Sequence, residues 1–160
     1  MVVINSIKKG IVIDHITAGL GVKVLEFLNV DPAKDTVAFI MNAPSGKHGR
    51  KDIIKIENVV DVNLAALGLI DPKATVSYIE DHMIIKKINV TLPEKVTNII
   101  KCKNPRCITS IEINAPHIFH LIDEKNREYR CEYCDEIISM GGENENKIMY
   151  KEWLHRRPSK

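Results

Sequence analysis

Four cysteines constrain this chain more than any other residues, because they come as two short pairs and occur nowhere else. Cys102 and Cys107 enclose Lys103, Asn104, Pro105 and Arg106, while Cys131 and Cys134 enclose Glu132 and Tyr133. The intervening segment is long enough for a hairpin to return the second pair to the first, and soft thiolates in a tetrahedral cage suit Zn(II). Four sulfurs leave no open coordination position, so the expected ion is structural and not catalytic. A stretch of about 45 residues buries too little core to be stable alone, so the metal would supply folding free energy. Iron in an electron-carrier cage is the rival reading; such cages usually have two Cys-x2-Cys knuckles, and the wider Cys102–Cys107 loop weighs against it. Four unrelated buried thiols are the plain alternative. His117 and His120 also have ligand-like spacing, but with the cage full they read as ordinary surface or strand histidines.

The first cysteine is residue 102, so the chain divides into a Cys-free part and a short metal-dependent part. Its 160 residues are 44% hydrophobic and 28% charged, the balance of a soluble globular protein of one ordinary domain or two small ones. No apolar run approaches the roughly 20 residues of a membrane span. The first residues lack the charged and apolar regions of a signal peptide, which predicts a cytoplasmic chain and favours metal over disulfides. Residues 1–95 carry 12 Lys/Arg against 11 Asp/Glu, and residues 96–138 carry 6 against 7. Neither part has the basic excess that phosphate neutralisation demands of a nucleic-acid binder.

Hydrophobic patterning predicts a strand over 11–16 and a helix from Ala18 to Asn29, with Leu20, Val24, Phe27 and Leu28 on one face. Asp31-Pro32 ends it. Strands follow at Thr36–Met41 and Asp52–Glu57, separated by a loop of turn formers over 42–50. Asp61 is placed to cap a second helix running to about Leu69, stopped by Asp71-Pro72. Ala74–Glu80 and Met83–Val90 read as two more strands. The order β-α-β-β-α-β plus one strand predicts an α+β domain, a ferredoxin-like antiparallel sheet with two helices on one face. Leu92-Pro93-Glu94 reads as the linker to a small all-β zinc-binding domain. The expected domains are 1–92, 96–138, and a tail over 139–160 to which the sequence assigns no role.

Several strings, in order, carry a family resemblance: Ile-Lys-Lys-Gly-Ile-Val-Ile-Asp-His-Ile over 7–16, Asn-Ala-Pro-Ser-Gly over 42–46, Gly-Arg-Lys-Asp-Ile-Ile-Lys-Ile-Glu-Asn over 49–58, Ala-Thr-Val over 74–76, Leu-Pro-Glu over 92–94, then Cys102-x4-Cys107 and Cys131-x2-Cys134. From about Ile4 to Ile138 the chain resembles the regulatory chains of aspartate carbamoyltransferase. The resemblance implies a non-catalytic subunit acting in de novo pyrimidine biosynthesis. Its N-terminal domain would bind nucleotide effectors, CTP, ATP and also UTP. Its zinc domain, with one structural ion on Cys102, Cys107, Cys131 and Cys134, would dock on catalytic chains. Regulatory-chain homodimers would bridge catalytic trimers.

Carried over residue by residue, the nucleotide pocket would comprise Ile4, Asn5, Ser6 and Ile7 offering backbone groups to the base, with Val12 lining it. Asp14 would meet the ribose, His15 and Lys87 the phosphates, and Lys55 the ribose and base. Lys51 would point toward the triphosphate, and Thr75, Ser77, Ile79, His82 and Ile84 would complete the site. Asn5 and His82 depart from the acid and the aromatic frequent at these family positions, which bears on base selectivity. Independently of the resemblance, the lysines at 8, 9, 51, 55, 86 and 87 supply the cations a triphosphate needs. No Gly-rich phosphate loop accompanies them, so binding would be by side chains and strand edges. Read without the resemblance, His15 is more often a structural strand histidine, and Lys86-Lys87 a solvated strand end. Asp14-His15 also suggests acid–base chemistry, but no nucleophile accompanies it, so an enzyme is the weakest reading. A zinc-ribbon nucleic-acid binder is the main alternative, and the charge balance of residues 96–138 speaks against it.

Overall fold

The computed structural model describes residues 7–28, 30–46, 49–58 and 62–140. The chain divides into two compact units after Thr91. In the first, β1 (Gly10–Thr17), α1 (Gly21–Phe27), β2 (Val37–Ser45), β3 (Gly49–Glu57), α2 (Leu64–Ile70), β4 (Thr75–Glu80) and β5 (Met83–Asn89) build one antiparallel sheet of order β2-β3-β1-β4-β5. The first four strands have the ferredoxin-like order, and β5 is added beside β4. In the second, β6 (Lys95–Thr97), β7 (Ile118–Asp123), β8 (Glu128–Cys131) and β9 (Ile137–Ser139) form a four-stranded antiparallel sheet, with a single helical turn, α3 (Ile108–Ile111), between β6 and β7.

One face of the larger sheet is the core. Ile11, Ile13, Ile54 and Val76 are fully buried, Ile56 nearly so, and with them Val24 of α1 and Ala66, Leu67 and Leu69 of α2. Ile13 and Ile16 are both fully buried although three residues apart, a spacing that would put them on opposite faces of a regular strand. A β-bulge resolves the conflict: Ile13 pairs with Ile54 and Ile16 with Asp52, so β1 carries one extra residue. His15 sits in that bulge with φ of 56°. A second bulge lies in β2 between Ile40 and Ala43, where Asn42 has the same φ.

Both bulges converge on Asp52. Its carboxylate is 2% exposed and accepts hydrogen bonds from the backbone N–H of Gly19 (3.1 Å), Gly21 (2.9 Å) and Asn42 (2.7 Å). Helix α1 has no side-chain cap of its own at Leu20, so β3 supplies the acceptor for its first N–H. Gly21 leaves room for this, since a Cβ there would lie 2.6 Å from the Asp52 carboxylate. Asp61, the expected cap of α2, lies outside the described residues; the cap is Asn63, whose side chain accepts from Ala66 N–H at 3.2 Å.

The stretch 42–50 was expected to be a loop, and this is corrected. Ala43↔Lys51, Pro44↔Arg50 and Ser45↔Gly49 continue the β2–β3 pairing nearly to the tip. Pro44 stands on β2, the outermost strand, where a missing N–H costs no ladder bond. The β4–β5 connection is a two-residue turn in which Asp81 and His82 both have positive φ, matching the right-handed twist of the strands.

Replacing Asp52 with Ala would strand three backbone N–H groups, and the loss of stability expected in denaturant unfolding is about 3 kcal/mol or more. Asn63→Ala, which removes only a cap, should cost about 1 kcal/mol.

Candidate functional site

The metal-binding end is built by two knuckles. Asn104 organises the first: its backbone carbonyl accepts from Cys107 N–H at 3.1 Å and the Ser110 hydroxyl at 2.8 Å, and its side chain accepts from Arg106 N–H at 3.0 Å. The second is closed by Cys131 N–H donating to the Glu136 carbonyl and Asp135 N–H to the Cys131 carbonyl, with Asp135 in the left-handed region. The four sulfurs lie within 4.8 Å of one another. Cys102 and Cys134 are 3.6 Å apart and Cys107 and Cys131 3.8 Å apart, against the ~3.8 Å edge of a tetrahedron with Zn–S bonds of ~2.3 Å. The donor set therefore fits a tetrahedral thiophilic ion.

Surrounding groups prepare these sulfurs for a cation. Burial alone raises the Cys107 thiol, but the Thr109 hydroxyl, which donates at 3.1 Å, its amide and the neighbouring thiols outweigh this and bring the group down to about 7. Burial pushes the Cys102 and Cys131 thiols up. Those two would ionise only when a cation compensates the charge, so metal uptake must release protons. Lys101, Lys103 and Arg106 stand exposed around the first knuckle. His117 is not an ordinary surface histidine. It is buried, and its Nδ1 accepts from Cys102 N–H at 3.2 Å, which requires that nitrogen to be unprotonated. Burial, then Lys101, lower its pKa from 6.5 and favour that form. His120, on β7, faces Glu132 at 3.1 Å.

The other predicted site falls on the sheet face opposite the Ile11, Ile13, Ile54, Ile56 and Val76 core. Strand register assembles it in three successive rows. Asp14, Thr75 and Asn89 pair across β1, β4 and β5. Lys55, Val12, Ser77 and Lys87 pair across β3, β1, β4 and β5. Gly10, Ile79 and Ile84 form the third row. Polar and charged groups thus gather at one end and isoleucines at the other, along ~13 Å of strand between Thr75 and Ile79. Ile7 lies beside Gly10 at the apolar end. His82 is exposed in the β4–β5 turn at the same end, its N–H donating to the Lys8 carbonyl at 3.0 Å. Ile4, Asn5 and Ser6 lie outside the described residues.

At the polar end the bulge turns Asp14 and His15 together. The Asp14 carboxylate accepts from His15 N–H at 2.6 Å and pairs with Lys51 Nζ at 3.0 Å. The His15 ring Nδ1 lies 3.1 Å from the Thr75 hydroxyl. Beside them an open cleft of about 340 Å³ is lined by His15, Pro72, Lys73, Ala74, Thr75, Lys87, Asn89 and Val90. Lys73 and Asn89 were not singled out from sequence. Asn89 follows once Thr75↔Asn89 is known as a pair, whereas no local signal marks Lys73, which the α2–β4 turn brings to the rim.

Among the described residues, a sheet face bearing cations thus lies in one unit and a four-cysteine cluster in the other. Two family models cover nearly all of the described chain: aspartate carbamoyltransferase regulatory chain, allosteric domain, over residues 2–91, and the metal binding domain of the same chain over residues 94–141. Curated relatives agree. The aspartate carbamoyltransferase regulatory chain of Clostridium botulinum is 56% identical over 90% of this chain and 99% of its own length. That of Clostridium acetobutylicum is 58% identical over 86% and 94%, and that of Bifidobacterium longum 47% identical over 83% and 96%. The chain belongs to the family of aspartate carbamoyltransferase regulatory chains, which makes it a non-catalytic subunit with an allosteric domain and a metal-binding domain. Among the described residues, no helix is long and apolar enough to cross a membrane.

Chelation should unfold residues 92–140 while the sheet of residues 7–91 persists, read by amide exchange or near-ultraviolet circular dichroism. Acid should act in the same direction. Thiolates bind metal only when deprotonated, and His117, with its folded pKa depressed, contributes stability above about 6.5 that is lost as pH falls. The metal-loaded second unit should therefore melt progressively lower between pH 7 and pH 5.

Proposed function

We propose that this chain binds nucleotide effectors, CTP and ATP with UTP as a further ligand, on the open sheet face of its N-terminal unit, and transmits their binding to aspartate carbamoyltransferase catalytic chains. One observation carries the reading: the three cross-strand rows grade from Asp14, Thr75 and Asn89, with His15 beside Thr75, through Lys55 and Lys87 to Ile79 and Ile84. A nucleoside triphosphate complements that gradient, with anionic phosphates at one end and a flat base with apolar faces at the other. In this pose His15, Lys87 and Lys51 meet phosphates, Asp14 and Lys55 meet the ribose, and Val12, Ile7, Ile79, Ile84 and His82 surround the base, with Ile4, Asn5 and Ser6 adding backbone contacts. Thr75 and Ser77 offer hydroxyls between them. Charge-assisted hydrogen bonds from separate lysines, with no Gly-rich cradle, suit reversible binding of a signal molecule.

The second unit is proposed to hold one Zn(II) on Cys102, Cys107, Cys131 and Cys134 and to dock on catalytic chains in the cytoplasm. Ile111 and Ile113 support this: they are 70% and 96% exposed, just after the first knuckle, with Ile108 beside them. A regulatory-chain homodimer is supported by β5, an edge strand that exposes Met83 and Ile85. Regulation then follows if nucleotide binds more tightly to one of two states of the assembly.

The test is an aspartate saturation curve of reconstituted holoenzyme with and without CTP and ATP. Each nucleotide is expected to move the midpoint or shape, and a curve insensitive to every nucleotide would sink the proposal. Lys87→Ala and Lys55→Ala should each weaken nucleotide binding about tenfold in calorimetry, the loss of one charge-assisted hydrogen bond.

A further inference from the structure

Asp71 follows the last residue of α2, has no part in the rows described above, and is fully buried. A buried carboxylate is costly unless its oxygens are occupied. Both are: Oδ2 accepts from Thr17 N–H at 2.6 Å and Oδ1 from Lys73 N–H at 3.0 Å. Lys73 lines the cleft, and Thr17 lies on the same strand as His15, which lines it too. Thr17 lies two residues beyond His15, at the end of β1, and Lys73 stands in the turn that contributes Pro72, Lys73 and Ala74 to the lining. The turn is fixed further by Ala74 N–H donating to the Asp71 carbonyl and Val90 N–H to the Ala74 carbonyl.

We infer that Asp71 is a positioning residue for the effector cleft: its carboxylate clasps the end of β1 to the α2–β4 turn and so sets the spacing between His15 and Lys73. This rests on the nucleotide reading of that face and adds to it a residue that touches no ligand. A helix ending at Asp-Pro needs no acid for its own termination, since Pro72 already stops it. Asp71 caps α2 through its backbone N–H, which donates to the Leu67 carbonyl, while its carboxylate takes no part in that cap: its two bonds go forward to Lys73 and across to Thr17. The clasp uses a charged acceptor where a neutral one would terminate the helix equally well.

Calorimetric titration of the full zinc-loaded chain with CTP and with ATP tests this, alongside denaturant unfolding of each variant. Asp71→Asn keeps the shape and one acceptor but presents an amide that cannot accept from both donors. Asp71→Ser retains a short acceptor for Lys73 and loses the reach to Thr17, and stands in if the first variant fails to fold. Asn63→Ala, at the far end of α2, supplies a destabilised control outside the cleft. The expected result is a Kd raised about tenfold by either Asp71 variant, at a temperature where all proteins remain folded, and a Kd within about twofold of wild type for Asn63→Ala. Wild-type affinity in a folded Asp71 variant overturns the clasp and leaves the nucleotide site standing. Affinity lost equally in Asn63→Ala overturns it too, as general destabilisation. A wild-type chain that binds neither nucleotide overturns both readings together.

Discussion

The larger unit is organised around a buried carboxylate. Asp52 gathers three backbone N–H groups from the β1–α1 turn, the first residue of α1 and the bulge of β2. Each would lose its acceptor if the acid were absent, and the N–H of Gly21, which is buried, would be left uncompensated. Satisfying them allows β1 and β2 to be irregular at one end of the sheet, and that irregularity is what the open face uses. The bulge in β1 returns Ile16 to the core and turns Asp14 and His15 toward Lys51 and Thr75. Core packing and the candidate effector site are thus two consequences of one extra residue in a strand.

The second unit solves a different problem. Val96, Ile99, Ile100, Phe119, Tyr129, Ile138 and Met140 are its main buried apolar groups, a small core for four short strands. Cross-linking through a metal compensates for that size. The groups around the cage are arranged for it: the Thr109 hydroxyl favours the Cys107 thiolate, and neutral His117 takes the Cys102 N–H. Tyr129 is buried along its ring while its hydroxyl donates to the Pro93 carbonyl at 2.6 Å, and burial pushes that hydroxyl up to about 12. A unit held this way keeps Ile108, Ile111 and Ile113 exposed.

Much of this was legible in the chain. The strands and helices of the first unit were marked by apolar periodicity and by the stops Asp31-Pro32 and Asp71-Pro72, and the cysteine pairs announced the cage. The misreadings share one cause. Turn-forming residues over 42–50 suggested a loop, but Asn, Pro, Ser and Gly also suit the end of an edge hairpin when a neighbouring strand offers its hydrogen bonds. His117 looked peripheral because its spacing from His120 says nothing of the Cys102 amide it meets fifteen residues away. Lys73 carries no local signature, and its place at the cleft depends on how α2 delivers the following turn to β4.

Sequence by itself determined what is local and periodic: which residues form strands, where helices stop, and that four thiolates at two short spacings can close on one ion. Tertiary structure alone decided which side chains became neighbours. Lys55, Val12, Ser77 and Lys87 are far apart along the chain, and only antiparallel register sets them in one row. Register in turn is fixed by which isoleucines must be buried, since a slip of one residue would turn the core face outward and the cations inward. The same need to satisfy a buried carboxylate gave Asp52 and Asp71 their backbone N–H partners. Those choices are made by the whole folded unit, because an acid in the sequence names no donor until the fold brings one to it.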